Sequence, residues 1–524
     1  MPTLLVLFSF TLLSLLYYVF KRKFSYWESK NVKHIKPYFL FGNFSEYISL
    51  RKYIGNVTQE ICNTFSKEPY IGAYYGTEPA LIVQDPELIK LVLTKDFYFF
   101  SGREVSSYTH KEVITQNLFF TYGDRWKVTR QNLTPLFSSA KMRNMFYLIE
   151  KCAFGLEKTL NLEATSGYVE VRSLMIRYAM DCISSCAFGV NTNTMGQVKD
   201  NPFKNMGDLI FQSTNYRGFK TVARAIWPSI FYGLGFKSFP TTIDTFFFKL
   251  LTGIFEARNY KATNRNDFID LVLGLKANKY MVGDSLENMK TGAGKKVELE
   301  VNDDLLVAQC VMFFAAGFET SATTLSFTLY ELAKNQEAQR RAQEDVDNYL
   351  KRHNNKLDYA CVSELPYVEA CIDEALRLYP VLPVLTREVV EDYTLPSGLR
   401  LEKGVRIHIP VYYLHHSEIN YPDPNCYRPE RFLGPEKKNV RQYTYMPFGE
   451  GPRICIGMRF AKMQMFAGLI TLLKKYTLVL ADDMLPEVEL EPRAIVTQPV
   501  GGIRLKFQQR ESWEDRIFSK SEKI

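Results

Sequence analysis

The sequence predicts a mainly α-helical protein with a small β region, preceded by one membrane-spanning helix. Three observations carry this. Leu305 to Tyr330 holds a single charged residue, Glu319. A helix apolar on nearly every face is a buried one. Residues 140–275 and 459–473 read as helical, whereas alternation is confined to short stretches, Tyr70 to Tyr75 and Ala80 to Val83. Residues 2–20 carry no charged side chain and are long enough for one span. The chain has 524 residues, more than the about 100–200 of an ordinary domain, yet no break in composition divides it. At 46% apolar and 14% aromatic it can build a large core. The net charge of +8 suits an anionic membrane surface or an acidic protein partner and is too diffuse to argue for nucleic acid. The nine cysteines are scattered, with no pair at a metal-ligand spacing. This is the pattern of a reduced, cytosol-facing chain.

In chain order, Lys21-Arg22-Lys23 comes directly after the apolar stretch, with Lys30, Lys33 and Lys36 beyond. Positive charge after a span keeps the downstream chain in the cytosol. A cleaved signal peptide is the competing reading, and it lacks a basic start and a small-residue cleavage site. Residues 1–20 are thus read as an anchor, 21–45 as a basic linker or hinge, 46–510 as the catalytic body and 511–524 as a tail. The sequons at Asn43, Asn56 and Asn132 should stay unmodified in a cytosolic body. The hairpin at 70–83 turns around Gly76-Thr77-Glu78-Pro79. Residues 103–122 lack a period and read as a loop. Trp126 and Arg130 then share one face of a helix that opens near Trp126. Residues 215–248 are apolar and loop-broken, and Lys290 to Lys296 reads as a mobile charged linker.

Asp303 and Asp304 begin the long apolar helix, where acids suit the positive dipole end. At its centre, Ala315-Ala316-Gly317-Phe318-Glu319-Thr320-Ser321 places a buried acid beside a hydroxyl. The Thr320 hydroxyl can bond back to a carbonyl and open the helix locally. An acid and a hydroxyl beside a distortion make a proton-delivery device. Near the C-terminus, Phe448-Gly449-Glu450-Gly451-Pro452-Arg453-Ile454-Cys455-Ile456-Gly457 crowds three glycines and a proline around one cysteine. The loop runs into an apolar helix, so Cys455 sits at a helix start, where the dipole favours a thiolate. A thiolate in a Gly-rich loop is a soft metal ligand. A buried cysteine beside a helix cap is the plain alternative.

Phe-x-x-Gly-x-Arg-x-Cys-x-Gly resembles the haem-binding loop of the cytochrome P-450 superfamily of haem-thiolate monooxygenases. The resemblance implies that fold over the body, haem b (iron protoporphyrin IX) as cofactor and Cys455 as its axial iron ligand. It implies that Phe448 packs near the sulfur and that the loop glycines, Gly451 and Gly457 among them, seat the cofactor. Arg453, Trp126, Arg130 and Arg387 are implied haem partners, chiefly at the propionates. Ala-Gly-x-Glu-Thr-Ser resembles the oxygen-activation motif. By it, Thr320 hydrogen-bonds the oxygen being activated, Glu319 helps to relay protons, and Gly317 leaves room for dioxygen and substrate. Glu374 and Arg377, with Arg431 of Pro429-Glu430-Arg431-Phe432, resemble the superfamily's buried structural lock. Val381 to Leu385 and Val496 to Val500 would line the pocket under a flexible roof at 215–248.

Finer detail at Asn132 to Met142 resembles insect microsomal members of family six, mostly detoxifying enzymes. The implied partners are an NADPH–cytochrome reductase, cytochrome b5 as a further donor, the endoplasmic reticulum membrane and apolar small molecules, with no nucleic acid. NADPH acts indirectly, through the reductase. Lys437, Lys438 and Arg441, with Lys127 and Lys462, could form a basic docking face. A haem-thiolate isomerase or dehydratase often lacks the acid–hydroxyl pair, and a non-catalytic haem or lipophile binder would show no turnover.

Overall fold

The computed structural model describes residues 2–196, 199–263 and 267–519. Everything is built around the Asp303–Lys334 helix. Asn302 caps its start, its Oδ1 accepting from the Leu305 N–H at 2.9 Å. The helix is long and apolar enough to cross a bilayer, but 72% of its most apolar window is buried inside the protein. It is therefore a core helix. The Val171–Ala187, Pro366–Leu378 and Met458–Leu473 helices pack against it. It runs unbroken through Thr320, which corrects the local opening that the sequence suggested. The Thr320 hydroxyl does donate to the Ala316 carbonyl at 2.6 Å, as Thr324, Ser326 and Thr328 do to residues four earlier. These bonds share the ladder's carbonyls without breaking it.

The β region is small. The Tyr70–Tyr75 and Glu78–Val83 strands form the expected antiparallel hairpin, with Gly76 and Thr77 alone in the turn. The second strand pairs in parallel with Arg406–Ile409, which pairs in turn with Leu385–Glu388. Val381 to Val384, just before that last strand, are irregular. A second sheet joins Tyr476–Leu480, Arg504–Gln509 and Val169–Glu170.

Two segments differ from the sequence reading. The charged stretch at 290–296 is not a free linker. Tyr280–Asp284 and Lys296–Glu300 pair antiparallel around it. This hairpin docks on the Gly123–Leu133 helix, where Gln131 both accepts from the Asp284 N–H and donates to its carboxylate. The basic hinge is in fact clamped. The first helix, Pro2–Phe24, absorbs Lys21 to Lys23. Trp27 is fully buried, its indole N–H donating to the Ala73 carbonyl at 2.8 Å. Its ring fills the space beside Gly72, where a Cβ would come within 2.6 Å of it. The tail is held too, as far as residue 519: Phe518 is buried and the Ser519 N–H donates to the Asn355 carbonyl.

The lock is present. Arg377 donates to both Glu374 carboxylate oxygens at 2.8 Å and to the carbonyls of His415, Pro424 and Cys426. Arg431 reaches Glu374 Oε1 at 3.3 Å. Glu374 and Arg377 are wholly buried, and a buried charge pair persists only when its remaining hydrogen-bonding positions are filled in this way.

Candidate active site

Between the long helix, the 448–457 loop and the helices at 202–257 lies a cavity of about 450 Å³. The loop forms its floor. Gly451 has φ +72°, and a Cβ there would lie 1.9 Å from the Leu93 carbonyl oxygen, so only glycine lets the loop seat. The Cys455 N–H donates to the Phe448 carbonyl at 2.9 Å and closes the loop. Gly457 then starts the Met458–Leu473 helix. Cys455, Phe448, Gly449, Arg453 and Gly457 all line the cavity.

Cys455 is exposed on the cavity wall rather than covered by side chains, and protein surrounds the loop that carries it. Burial pushes its thiol up, and the Gly457 N–H with Arg130 and Arg103 pulls it down. Burial outweighs these pulls in the loop by itself, while the Gly457 N–H acts in the direction expected of a helix start. A bound metal ion reverses that balance. Among the described residues no cluster of three or more His, Cys, Asp or Glu could hold a metal. Cys455 thus suits a metal carried by a larger group.

Arg453 ties the floor to its surroundings, donating to the Ser101 carbonyl at 3.1 Å and the Thr121 carbonyl at 2.7 Å. Its guanidinium lies 4.4 Å from the Trp126 ring centre. Trp126 and Arg130 reach the cavity together from the Gly123–Leu133 helix, which begins three residues before Trp126. Arg387 arrives from the Leu385–Glu388 strand with its Nε buried and unpartnered. Arg103 is a further cation, which the sequence reading left inside a loop. No spacing joined it to the cysteine motif.

These four arginines oppose one another. Burial and neighbouring guanidiniums lower Arg453 well below the usual arginine range and bring Arg387 down to about 9. Burial and Arg130 bring Arg103 to about 10. Among the described residues, no Asp, Glu or Lys lines the cavity. Such a wall asks for an anionic partner. Haem meets the demand: its two propionates match the cations, its flat apolar macrocycle matches walls such as Phe119, Val311, Ala315 and Ala316, and its iron matches the Cys455 sulfur.

The long helix contributes Gly317, Thr320, Ser321 and Thr324 to the lining. Glu319 turns away. It is buried, ion-paired to Arg172 and accepting from Gln498 Nε2 at 2.9 Å. Burial raises its carboxyl, and Arg172 and Gln498 oppose the rise. The space left by Gly317 goes to Ile183, whose Cδ1 would lie 2.7 Å from an added Cβ. The glycine thus admits a neighbouring helix rather than opening the cavity. Val381, Leu382, Leu385 and Val496 line the chamber as expected, whereas Pro383, Val384 and Thr497 to Val500 do not.

The Cytochrome P450 family model matches residues 33–507. Cytochrome P450 6k1 of Blattella germanica is 35% identical over 503 residues, 95% of both chains. Cytochrome P450 6B2 of Helicoverpa armigera is 34% identical, over 94% of this chain and 96% of its own. Cytochrome P450 6a2 of Drosophila melanogaster is 34% identical, over 95% of this chain and 97% of its own. A cysteine-bearing loop under an apolar cavity, in a chain matched nearly end to end, leads to one conclusion: this chain belongs to the cytochrome P450 family of haem-dependent monooxygenases.

Proposed function

We propose that this protein is a microsomal monooxygenase that inserts one atom of dioxygen into apolar small molecules, foreign compounds such as plant toxins and insecticides among them. The observation that carries the reading is the Cys455 sulfur facing an apolar cavity whose wall also carries Arg103, Arg130, Arg387 and Arg453. Haem b bound there supplies the oxygen chemistry: dioxygen and two electrons enter, one oxygen atom goes to substrate and the other leaves as water.

The chain's own residues do the rest. Cys455 ligates the iron. Arg103, Arg130, Arg387 and Arg453 hold the propionates, with Trp126 stacked beneath Arg453. Phe448 covers the sulfur, and Gly451 and Gly457 let the loop backbone come close. The apolar wall excludes water. Thr320 Oγ1 carries a proton to the reaction chamber; its bond to Ala316 holds the hydroxyl at the wall. Glu319 stands behind as proton store, and rotation away from Arg172 would bring its carboxyl toward the chamber. Gly317 keeps the helices close around both.

The electrons come from NADPH through a membrane reductase, with cytochrome b5 as a further donor. Exposed Lys437, Lys438 and Arg441 offer an acidic donor a basic face. Lys462 is tied to Glu369 at 2.5 Å and adds little to it. The Pro2–Phe24 helix, with Leu7, Phe8, Phe10 and Leu15 exposed, anchors the body to the cytosolic side of the endoplasmic reticulum.

The test is a pair of measurements. Purified holoprotein should give the thiolate-type absorption of the reduced carbon monoxide complex, and Cys455→Ala should abolish it. With reductase and NADPH, NADPH consumption should yield a hydroxylated product. A Cys455→Ala protein that keeps the spectrum refutes the ligand assignment, and product formation without NADPH favours an isomerase.

A further inference from the structure

Six arginines line the main cavity, Arg217 and Arg224 from the Asn215–Ile226 helix in the roof joining the four near Cys455. Beside it lies a second cavity of about 180 Å³ with a different character. Among the described residues, no Arg or Lys lines this one. Thr221, Leu382, Ile495 and Val496 line both cavities and so stand between them. Pro383 and Val384, which miss the main cavity, line the second.

The wall of the second cavity also holds an acid and an imidazole, Glu104 and His408. His408 is 1% exposed; its Nε2 donates to Glu104 Oε1 at 2.8 Å, and its Nδ1 is buried with no partner among the described residues. Arg406 Nη1 lies 4.0 Å from the same carboxylate oxygen, outside the cavity wall. The other oxygen, Glu104 Oε2, accepts from no described residue. Burial pushes the Glu104 carboxyl up, but Arg406 and the His408 bond together hold it below the ordinary glutamate value. Glu104 is therefore an ionised acceptor with one oxygen to spare. A carboxylate oxygen taken from water without a donor is costly, so the cavity calls for a donor.

The charge on that donor follows from its neighbours. Arg406 already offsets the carboxylate, so an ammonium would bring an uncompensated charge indoors. A second carboxylate would face Glu104 itself. A neutral hydroxyl avoids both. Much of the remaining wall is aromatic, with Tyr47 and Tyr75 stacked at 6.3 Å and Tyr75 edge-on to His408 at 5.4 Å. Tyr53 lines it too, but cannot supply the missing donor, because its hydroxyl pairs with Thr497 Oγ1 at 2.5 Å. An apolar hole of about 150 Å³ takes a single benzene ring. A space of 180 Å³ suits one ring carrying a hydroxyl.

We propose that this cavity is a second small-molecule site, taking a neutral phenol-class compound whose hydroxyl donates to Glu104 Oε2 and whose ring lies among the three tyrosines. Its occupant is not the molecule that faces Cys455, and the site stands whether or not the monooxygenase reading does.

Two probes of one shape test it, 4-methylphenol and 1,4-dimethylbenzene, titrated calorimetrically into the holoprotein. Wild type should bind the phenol at least about tenfold more tightly, the range for a hydrogen bond to a charged group. Both compounds can also enter the main cavity, but neither Glu104 nor Ala494 lines it, and both line the second. Only occupancy of the second cavity therefore responds to changes there. Glu104→Gln should cut the phenol's advantage severalfold, because the acceptor loses its charge. Ala494→Leu, which fills the cavity and leaves Glu104 intact, should remove the advantage. Equal affinities in wild type overturn the proposal, and so does an advantage that survives either substitution, which would put the phenol in the main cavity. Should Glu104→Gln not fold, Ala494→Leu decides alone. None of these results touches the monooxygenase reading, which the Cys455 spectrum tests by itself.

Discussion

The Thr320 hydroxyl and the Glu319 carboxylate sit on adjacent residues yet face different neighbours, one the cavity and the other Arg172 and Gln498. Their expected phenotypes separate accordingly. Positioned proton transfer is worth about 10²–10⁴-fold. Thr320→Ala should therefore keep consuming NADPH while product per NADPH drops about tenfold or more, the difference appearing as hydrogen peroxide. Glu319→Gln should give a milder loss, because its carboxyl must first leave Arg172. Stopped NADPH consumption in Thr320→Ala would place the residue elsewhere in the cycle. At this scale the sequence was informative where function binds residues through the backbone. Cys455, Arg453 and Phe448 are fixed relative to one another by a ten-residue loop, so their spacing is visible. Arg103, Arg217 and Arg224 reach the cavity only through tertiary folding, from segments without a period, and no spacing announces them.

Between elements, the lock reaches the cysteine loop through His415. Its Nε2 accepts from the Met446 N–H at 3.2 Å, so Nδ1 carries the proton and donates to the Arg377 carbonyl at 3.1 Å. The ring is neutral, stacked on Tyr445 and fully buried. Burial lowers it to about 3, and the neighbouring His416 goes to about 4 for the same reason. A folded value below the unfolded one means the unfolded chain holds more protons in between. Stability is then fully present above about pH 6.5 and falls as pH drops toward 3, by up to about 1.4 kcal/mol per pH unit for one such group. His415→Gln keeps an acceptor for Met446 and does not titrate. Its thermal midpoint should be somewhat lower at pH 7 and less steep between pH 6.5 and 4; an unaltered slope would assign the acid sensitivity to other groups. The long helix and the 70–83 hairpin were legible because each carries strong local signal, whereas the lock was legible only through the family resemblance, since a Glu–Arg pair three apart is by itself an ordinary surface contact. The 280–300 hairpin was not, since Val297 and Leu299 alternate over too few residues to outweigh the charged stretch before them. Nor was the Trp27 clamp, which depends on a glycine forty-five residues away in sequence.

For the molecule as a whole, that clamp separates attachment from folding. Removing residues 2–23 deletes the exposed apolar helix and leaves Trp27 with its bond to Ala73. The truncated protein should appear in the soluble fraction after ultracentrifugation, with its haem absorption and thermal midpoint close to those of the full chain. Loss of haem from the truncated form would make the first helix part of the fold. The sequence had placed a hinge here. The mainly helical body around one buried helix was otherwise legible, because twenty-six residues with a single charge must be shielded from water on nearly every side. The six arginines around one chamber bear on something else, the order in which the protein matures. Like charges resist being drawn together, so collapse of the chain and capture of its pigment become one event rather than two. A newly made copy short of pigment should then be the one that proteases cut faster, which limited proteolysis of the protein with and without haem would check.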